Sequence, residues 1–168
     1  MNIETERLLL RRFRADDARA AHALFSDREA MRLAGMYPPF THMEETAARI
    51  DRWAGSEGRL AIVLKHTDEL LGYLAVNPDS EEGREDTREL GFALIAGHRG
   101  KGYMKEAVSA VLRELSKQGV AYVWACCFKE NASSERLIRG MGFEFMQEGR
   151  YAAPNDREYE SLEFRITL

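Results

Sequence analysis

Three observations predict a mixed α/β fold, a sheet with helices on its faces. Short apolar runs alternate with segments whose apolar residues recur at helical spacing, as Ala107, Val108, Val111, Leu112 and Leu115 do. A Gly-containing turn, Gly100-Lys101-Gly102, joins one such run directly to that amphipathic segment. No internal repeat or low-complexity stretch interrupts the alternation. With 168 residues, 45% hydrophobic and 31% charged, the expectation is one compact domain over residues 1–168.

The elements follow in order. Residues 7–13 read as a first strand around Leu8, Leu9 and Leu10, after which Asp16 is expected to cap a helix carrying Ala18, Ala21, Leu24 and Phe25. A broken second piece at 28–33 stops at Gly35 and Pro38-Pro39. Thr41-His42-Met43-Glu44 has the capping-box form and starts a helix with Ala47, Ile50 and Trp53 on one face. Residues 60–64 and 70–76 read as a buried hairpin. The stretch 78–86, with Asp79, Glu81, Glu82, Glu85 and Asp86, reads as an exposed turn or as an acidic lip for a cationic substrate. A strand at 88–96 and a helix at 103–118 flank the Gly turn. A strand at 120–128, a short helix capped by Asn131 and closed by Gly142, and strands at 143–151 and 158–168 complete the chain.

A formal net charge of −4 offers no basic footprint for a phosphate backbone, so a nucleic-acid partner is not expected, while a positively charged substrate is compatible with it. No apolar run approaches the roughly 18 residues that span a bilayer, and residues 1–14 lack the apolar region of a signal peptide. A cytoplasmic protein without a membrane partner is the expectation. Cys126 and Cys127 are strand neighbours pointing to opposite faces, so reduced, buried cysteines are expected rather than a disulfide. With His22, His42, His66 and His98 scattered, they form no zinc spacing, and no metal is expected.

The chemistry concentrates at the turn. Glycines between a buried strand and a helix start present unpaired backbone N–H groups where the helix dipole favours an anion. The bland reading is a tight connection that needs Gly for its dihedrals. A Walker loop is excluded because neither Ser nor Thr follows Lys101, and a dinucleotide fingerprint fails because Lys105 occupies the third Gly position.

A second element, Asn131-Ala132-Ser133-Ser134 followed by Leu137 to Phe143, makes the pattern specific. Together the two segments resemble the cofactor motifs of the GNAT superfamily of N-acetyltransferases. Glu6-Arg7-Leu8-Leu9-Leu10-Arg11, Glu89-Leu90-Gly91-Phe92 and His98 to Tyr103 are similar to its RimJ/RimL-type branch. The resemblance implies a single-domain, mostly antiparallel central sheet, splayed where acetyl-CoA binds as cosubstrate. It implies that the backbone of Leu94 and Ile95 holds the pantetheine arm and that amides of Arg99, Gly100, Lys101, Gly102, Tyr103 and Met104 cradle the pyrophosphate. Asn131 and Ser134 would lie along the cofactor, Asn131 also serving as an ordinary N-cap. Met104 departs from the family's Gly or Ala, and Cys126 stands where one ribosomal branch has a glutamate base.

Transfer to an amine needs a neutral amine, a polarised thioester carbonyl and a proton for the departing thiolate. At pH 7 an α-amine is neutral about a tenth of the time, and a lysine roughly once in a few thousand. Glu89 is the candidate base, acting through water, or else a strand-edge carboxylate paired with Arg88. Ser134 or Tyr151 is the candidate acid, or else a first-turn hydroxyl and a core-edge aromatic. The Leu94 amide could polarise the carbonyl. His98 reads as a packing or surface residue. Met31, Met36, Tyr37, Phe40 and Trp53 read as core, with an acceptor pocket as the alternative. The expected activity is direct acetyl transfer to a primary amine, on a protein N-terminus or a small molecule such as a polyamine, aminoglycoside or amino acid. The alternative is a non-catalytic acyl-CoA-binding sensor. Terminal strand edges leave a homodimer open.

Overall fold

The computed structural model describes residues 1–36, 38–80, 83–152 and 158–168; Tyr37, Glu81 and Glu82, named above, lie outside the described residues. The elements run β1 (Ile3–Glu4), β2 (Leu8–Arg12), α1 (Ala18–Phe25), α2 (Arg28–Leu33), α3 (Met43–Ala54), β3 (Arg59–Leu64), β4 (Leu70–Pro78) and β5 (Thr87–Leu94). They continue with α4 (Tyr103–Lys117), β6 (Tyr122–Phe128), α5 (Ala132–Gly140), β7 (Glu144–Ala152) and β8 (Glu158–Thr167). Among the described residues one sheet has the order β1-β2-β3-β4-β5-β6-β8-β7. Among these described strands only β5 and β6 pair in parallel, which is why the long helix α4 must connect them.

Alternation along the strands divides the apolar residues between two cores. On one face Leu90, Leu94, Val123, Ala125, Cys127, Leu162 and Phe164 pack under Val108, Val111, Leu112 and Leu115 of α4 and Ile138 of α5. On the other, Ala61, Val63, Tyr73 and Ala75 of β3 and β4 pack under Leu24, Phe25, Met31, Ile50 and Trp53 of α1 to α3. Trp53 anchors that second core, 5.3 Å from the rings of both Phe13 and Phe25 and 4.9 Å from Tyr73. Phe40 lies 5.6 Å from Phe25 and Met36 packs on the same cluster, so of the described aromatic and Met residues named above, all serve packing. The helices α1 to α3 cover β2 to β4. The same face of β6 to β8 faces a cleft.

Two caps differ by one residue from the sequence expectation. Asp17, not Asp16, accepts from the Arg14 N–H at 2.7 Å, and a short 3₁₀ turn precedes α1. Asp17 is chosen because it also closes a buried bidentate pair with Arg11 of β2, at 2.8 and 2.9 Å. For α3 the capping residue is His42, and Glu45, not Glu44, accepts from the N–H groups of Thr41 and His42, each at 2.9 Å. The cysteine expectation holds in part. Cys127 is buried in the α4-side core, whereas Cys126 points to the opposite face and is exposed.

Candidate active site

The cleft begins where the sheet parts. The β5–β6 ladder runs from Thr87 opposite Tyr122 to Leu90 opposite Ala125 and stops there. β5 nevertheless continues to Leu94 on β4, and β6 to Phe128 on β8. Gly72 of β4 helps draw the end of β5 away: a Cβ there would collide with the Ala93 carbonyl and lie 2.8 Å from the Leu94 Cα. One continuous cleft passes through the gap. Gly100, Gly102, Tyr103, Asn131, Ser134 and Leu137 line one end, and Glu89, Trp124, Cys126, Gln147, Glu163 and Arg165 line the other.

At the first end Gly100 and Gly102 hold φ of 75° and 80°, the left-handed region open to Gly at little cost. A Cβ at Gly100 would meet no protein atom within 4 Å, so that side of the turn faces open space. The first α4 bond runs from Glu106 N–H to the Gly102 carbonyl. Among the described residues, the amides of Gly100, Lys101, Gly102, Tyr103 and Met104 have no acceptor, which makes a concentrated donor site at a helix start. The Met104 side chain is buried in the α4-side core, which explains how the turn tolerates a large residue there.

The amides of Arg99 and Ile95 are engaged within the chain, although Arg99 itself lines the cleft. The Arg99 amide donates to the Ala96 carbonyl at 3.3 Å, and its Nε donates to the Leu94 carbonyl at 3.1 Å, so Arg99 braces the strand end. The Ile95 N–H donates to Leu71 at 2.8 Å and its carbonyl accepts from His98 at 3.0 Å. By alternation the Leu94 N–H turns the other way, into the gap. Leu94 is therefore the residue of the pair with a donor available there.

A brace from the segment between β1 and β2, missed by the sequence reading, fixes the turn. Arg7 Nη1 donates to the Lys101 carbonyl at 3.0 Å and Nε to Glu106 Oε2 at 2.7 Å, while the guanidinium lies 4.6 Å from the Tyr103 ring centroid. Glu106 Oε1 also accepts from the Thr5 hydroxyl at 2.6 Å and the Arg7 N–H at 2.9 Å. Burial works to raise the Glu106 pKa, but these hydrogen bonds outweigh it and hold the carboxyl below its ordinary value of 4.5. A carboxyl whose folded pKa is depressed stabilises the fold fully above its unfolded pKa, and the contribution is lost as pH falls through the lower folded value. The urea-midpoint gap between the parent and Glu106→Gln is thus expected to be widest at neutral pH and to close in acid below that ordinary value, as a pH series of urea melts would show.

The second motif sits beside the gap. Asn131 Oδ1 accepts from the Ser134 N–H at 3.2 Å and the Ser133 hydroxyl at 3.0 Å, so Asn131 is the α5 cap. The Ser134 hydroxyl stands next to the Cys127 thiol, whose pKa burial pushes up to about 11, with Cys126 and Glu135 adding to the rise. Cys127 is therefore a neutral thiol near pH 7. Tyr151 donates its hydroxyl hydrogen to the Gly35 carbonyl at 3.0 Å, tying β7 to the end of α2 across the cleft. Glu89 lines the far end, but its Oε1 accepts from both the N–H and hydroxyl of Ser80, each at 2.6 Å. It does not pair with Arg88, which turns to the carbonyls of Glu85 and Thr87. His98 packs 3.5 Å from Glu69, away from both ends of the cleft.

Residues 7–144 match the acetyltransferase (GNAT) domain family. The chain is 30% identical to the uncharacterized N-acetyltransferase YoaA of Bacillus subtilis, over 98% of this chain and 95% of that one. Among solved structures, an acetyltransferase (GNAT family) from Bacillus anthracis superposes with a TM-score of 0.88 at 24% identity, over 99% and 98% of the two chains. RimL, a ribosomal L7/L12 alpha-N-protein acetyltransferase crystallised in complex with coenzyme A, shares the fold with a TM-score of 0.79 at 18% identity, over 100% and 98%. A parted sheet with free amides at the start of α4, on a chain matched over this length, has one conclusion: the protein belongs to the GNAT family of N-acetyltransferases.

Proposed function

We propose that the protein uses acetyl-CoA to acetylate a primary amine by direct transfer, as one cytoplasmic domain over residues 1–168. The observation that carries this reading is the single cleft joining the free amides of the 100–104 turn, the parted strands and Ser134. The CoA pyrophosphate rests on those amides, and the pantetheine arm lies in the gap between β5 and β6. Gly100, Gly102 and Asn131 shape the cradle rather than contributing charge.

In this reading the amine nitrogen attacks the thioester carbonyl carbon, whose oxygen is polarised by the Leu94 N–H. The C–S bond breaks, the CoA thiolate takes a proton from the Ser134 hydroxyl, and Ser134 regains one from the nitrogen of the collapsing adduct as it becomes the amide. Ser134 is preferred to Tyr151 as acid because the Tyr151 hydroxyl hydrogen is already given to Gly35. Glu89 remains the proton acceptor proposed from sequence, through its second oxygen and a water. The fold shared with the RimL-type enzymes makes an α-amine a sensible first acceptor to assay.

The test combines binding and turnover. CoA at a hundred times its Kd is expected to stabilise the fold by about 2.7 kcal/mol, read as a rise in Tm, and incubation with acetyl-CoA and amines is expected to release CoA thiol. No thermal protection by CoA or acetyl-CoA would sink the proposal. Protection without thiol release for any amine favours the sensor reading, for which the engagement of Glu89 by Ser80 is the supporting observation.

A further inference from the structure

The acceptor's charge also needs a partner, and the Glu89 end of the cleft supplies one the sequence reading did not single out. This step rests on the acetyltransferase reading above. Glu163 of β8 pairs with Cys126 of β6, one step beyond the last β5–β6 rung, so it stands beside the point where the strands part. Cys127 belongs to the α4-side core, so Cys126 and its cross-strand neighbour Glu163 point into the cleft on the opposite face. Burial raises the Cys126 thiol pKa against the opposing Ser161 hydroxyl, and the fields of Glu163 and Glu89 raise it further. Both carboxylates therefore act on the same spot.

The surroundings keep Glu163 in place, and among the described residues they bring it no cation. Gln147 Nε2 donates to Glu163 Oε2 at 2.7 Å. On the other side Gly149 of β7 provides a notch: a Cβ there would collide with Glu163 Oε1 and lie 2.9 Å from the Ser161 Oγ. Three other carboxylates of this hairpin do have a cation nearby, Glu148 and Glu160 sharing Lys129 and Glu158 pairing with Arg150. Arg165, two residues along and on the same face, stacks instead on Tyr122 and Trp124, 4.8 and 5.6 Å from their centroids. Among the described residues no Lys, Arg or His lies within ion-pair distance of Glu163. Glu89, by contrast, has an oxygen already committed twice to Ser80.

We infer that Glu163 is the carboxylate that holds the acceptor's primary ammonium in the cleft, oriented by Gln147 and given room by Gly149. The ligand class is a primary alkylammonium, whether the α-amine of a peptide or the amine of a small molecule. An ammonium seated there covers Cys126, which is the exposed cysteine of the pair.

That cover gives a test independent of turnover. Alkylation of Cys126 by iodoacetamide is followed by mass spectrometry in the presence of CoA, with n-butylammonium, alaninamide or the neutral n-butanol. Both amines are expected to slow alkylation and n-butanol is not; the stronger of the two protectors identifies the source of the amine. A charged hydrogen bond is worth about 1.5–3 kcal/mol, so in Glu163→Gln the half-protecting amine concentration should rise about tenfold or more. The same direction is expected for Gly149→Ala, which displaces the carboxylate without removing it, while CoA protection against heat stays as in the parent. Equal protection of parent and Glu163→Gln, equal protection by n-butanol, or no protection of the parent by either amine overturns the inference. Failure of CoA to stabilise the parent would instead overturn the proposed function.

Discussion

Gly100→Val is expected to weaken CoA binding by about a hundredfold or more, measured by calorimetric titration, with only a modest loss of fold stability. The backbone φ of 75° is the reason for the modest loss, since a left-handed conformation costs a residue with a Cβ about 1–2 kcal/mol. The larger effect falls on the ligand side. The new side chain projects into space that no protein atom occupies within 4 Å, in front of the free amides of the turn. Losing two hydrogen bonds to a charged phosphate, at about 1.5–3 kcal/mol each, amounts to about two to four powers of ten in affinity. Lys101→Ala is the matching control. It keeps every backbone donor and is expected to cost far less. Binding of Gly100→Val within threefold of the parent would mean that the turn merely connects β5 to α4.

Arg11→Met is expected to be the most damaging substitution for stability, at about 3–5 kcal/mol, because it strands the Asp17 carboxylate in the interior. Arg11 and Asp17 are 4% and 6% exposed, too little for water to take over the lost contacts. Arg11 also donates from Nε to Asp68 at 3.1 Å, tying β2 to the turn before β4, where Asp68 itself sits at φ 56°. For a chain of this size the loss corresponds to a drop in Tm of about 6–20 °C, readable by calorimetry. Pairing Arg11→Met with Asp17→Leu should recover part of it, since no charge is then stranded. The recovery stays partial because Asp17 also caps the turn before α1 through the Arg14 N–H. A single variant that melts within about 2 °C of the parent would show the pair to be energetically idle.

Most strands, the helices and the Gly-containing turn were legible in the sequence because each depends on neighbouring residues. Apolar spacing marks α4, and the glycines that take positive φ at Gly100 and Gly102 are needed by the local backbone whatever surrounds them. What was not legible depends on pairing at a distance. Asp17 rather than Asp16 caps its turn because Arg11 reaches it from β2, and no local rule separates two adjacent aspartates. Arg7 was visible as part of the opening motif, but its hold on Lys101 and Glu106 follows only once β2 lies beside α4. Glu163 reads in sequence as one more charged residue of a terminal strand. It reaches the cleft because β8 enters the sheet between β6 and β7, which sequence order would not suggest. A search for carboxylates two residues from a strand Gly on a neighbouring hairpin arm could have raised it, though many surface pairs would have matched.

The four rungs between β5 and β6 have a mechanical meaning. They are the sheet's own seam between a five-strand block and a three-strand block, and beyond them side chains bridge the blocks from Tyr151 to Gly35 and from Arg32 to Glu130. A molecule whose polar arm lies along the open part of that seam supplies main-chain partners that neither block can supply to the other. Occupancy is then expected to stiffen the joint as well as deliver a reagent, so that rigidity follows cargo.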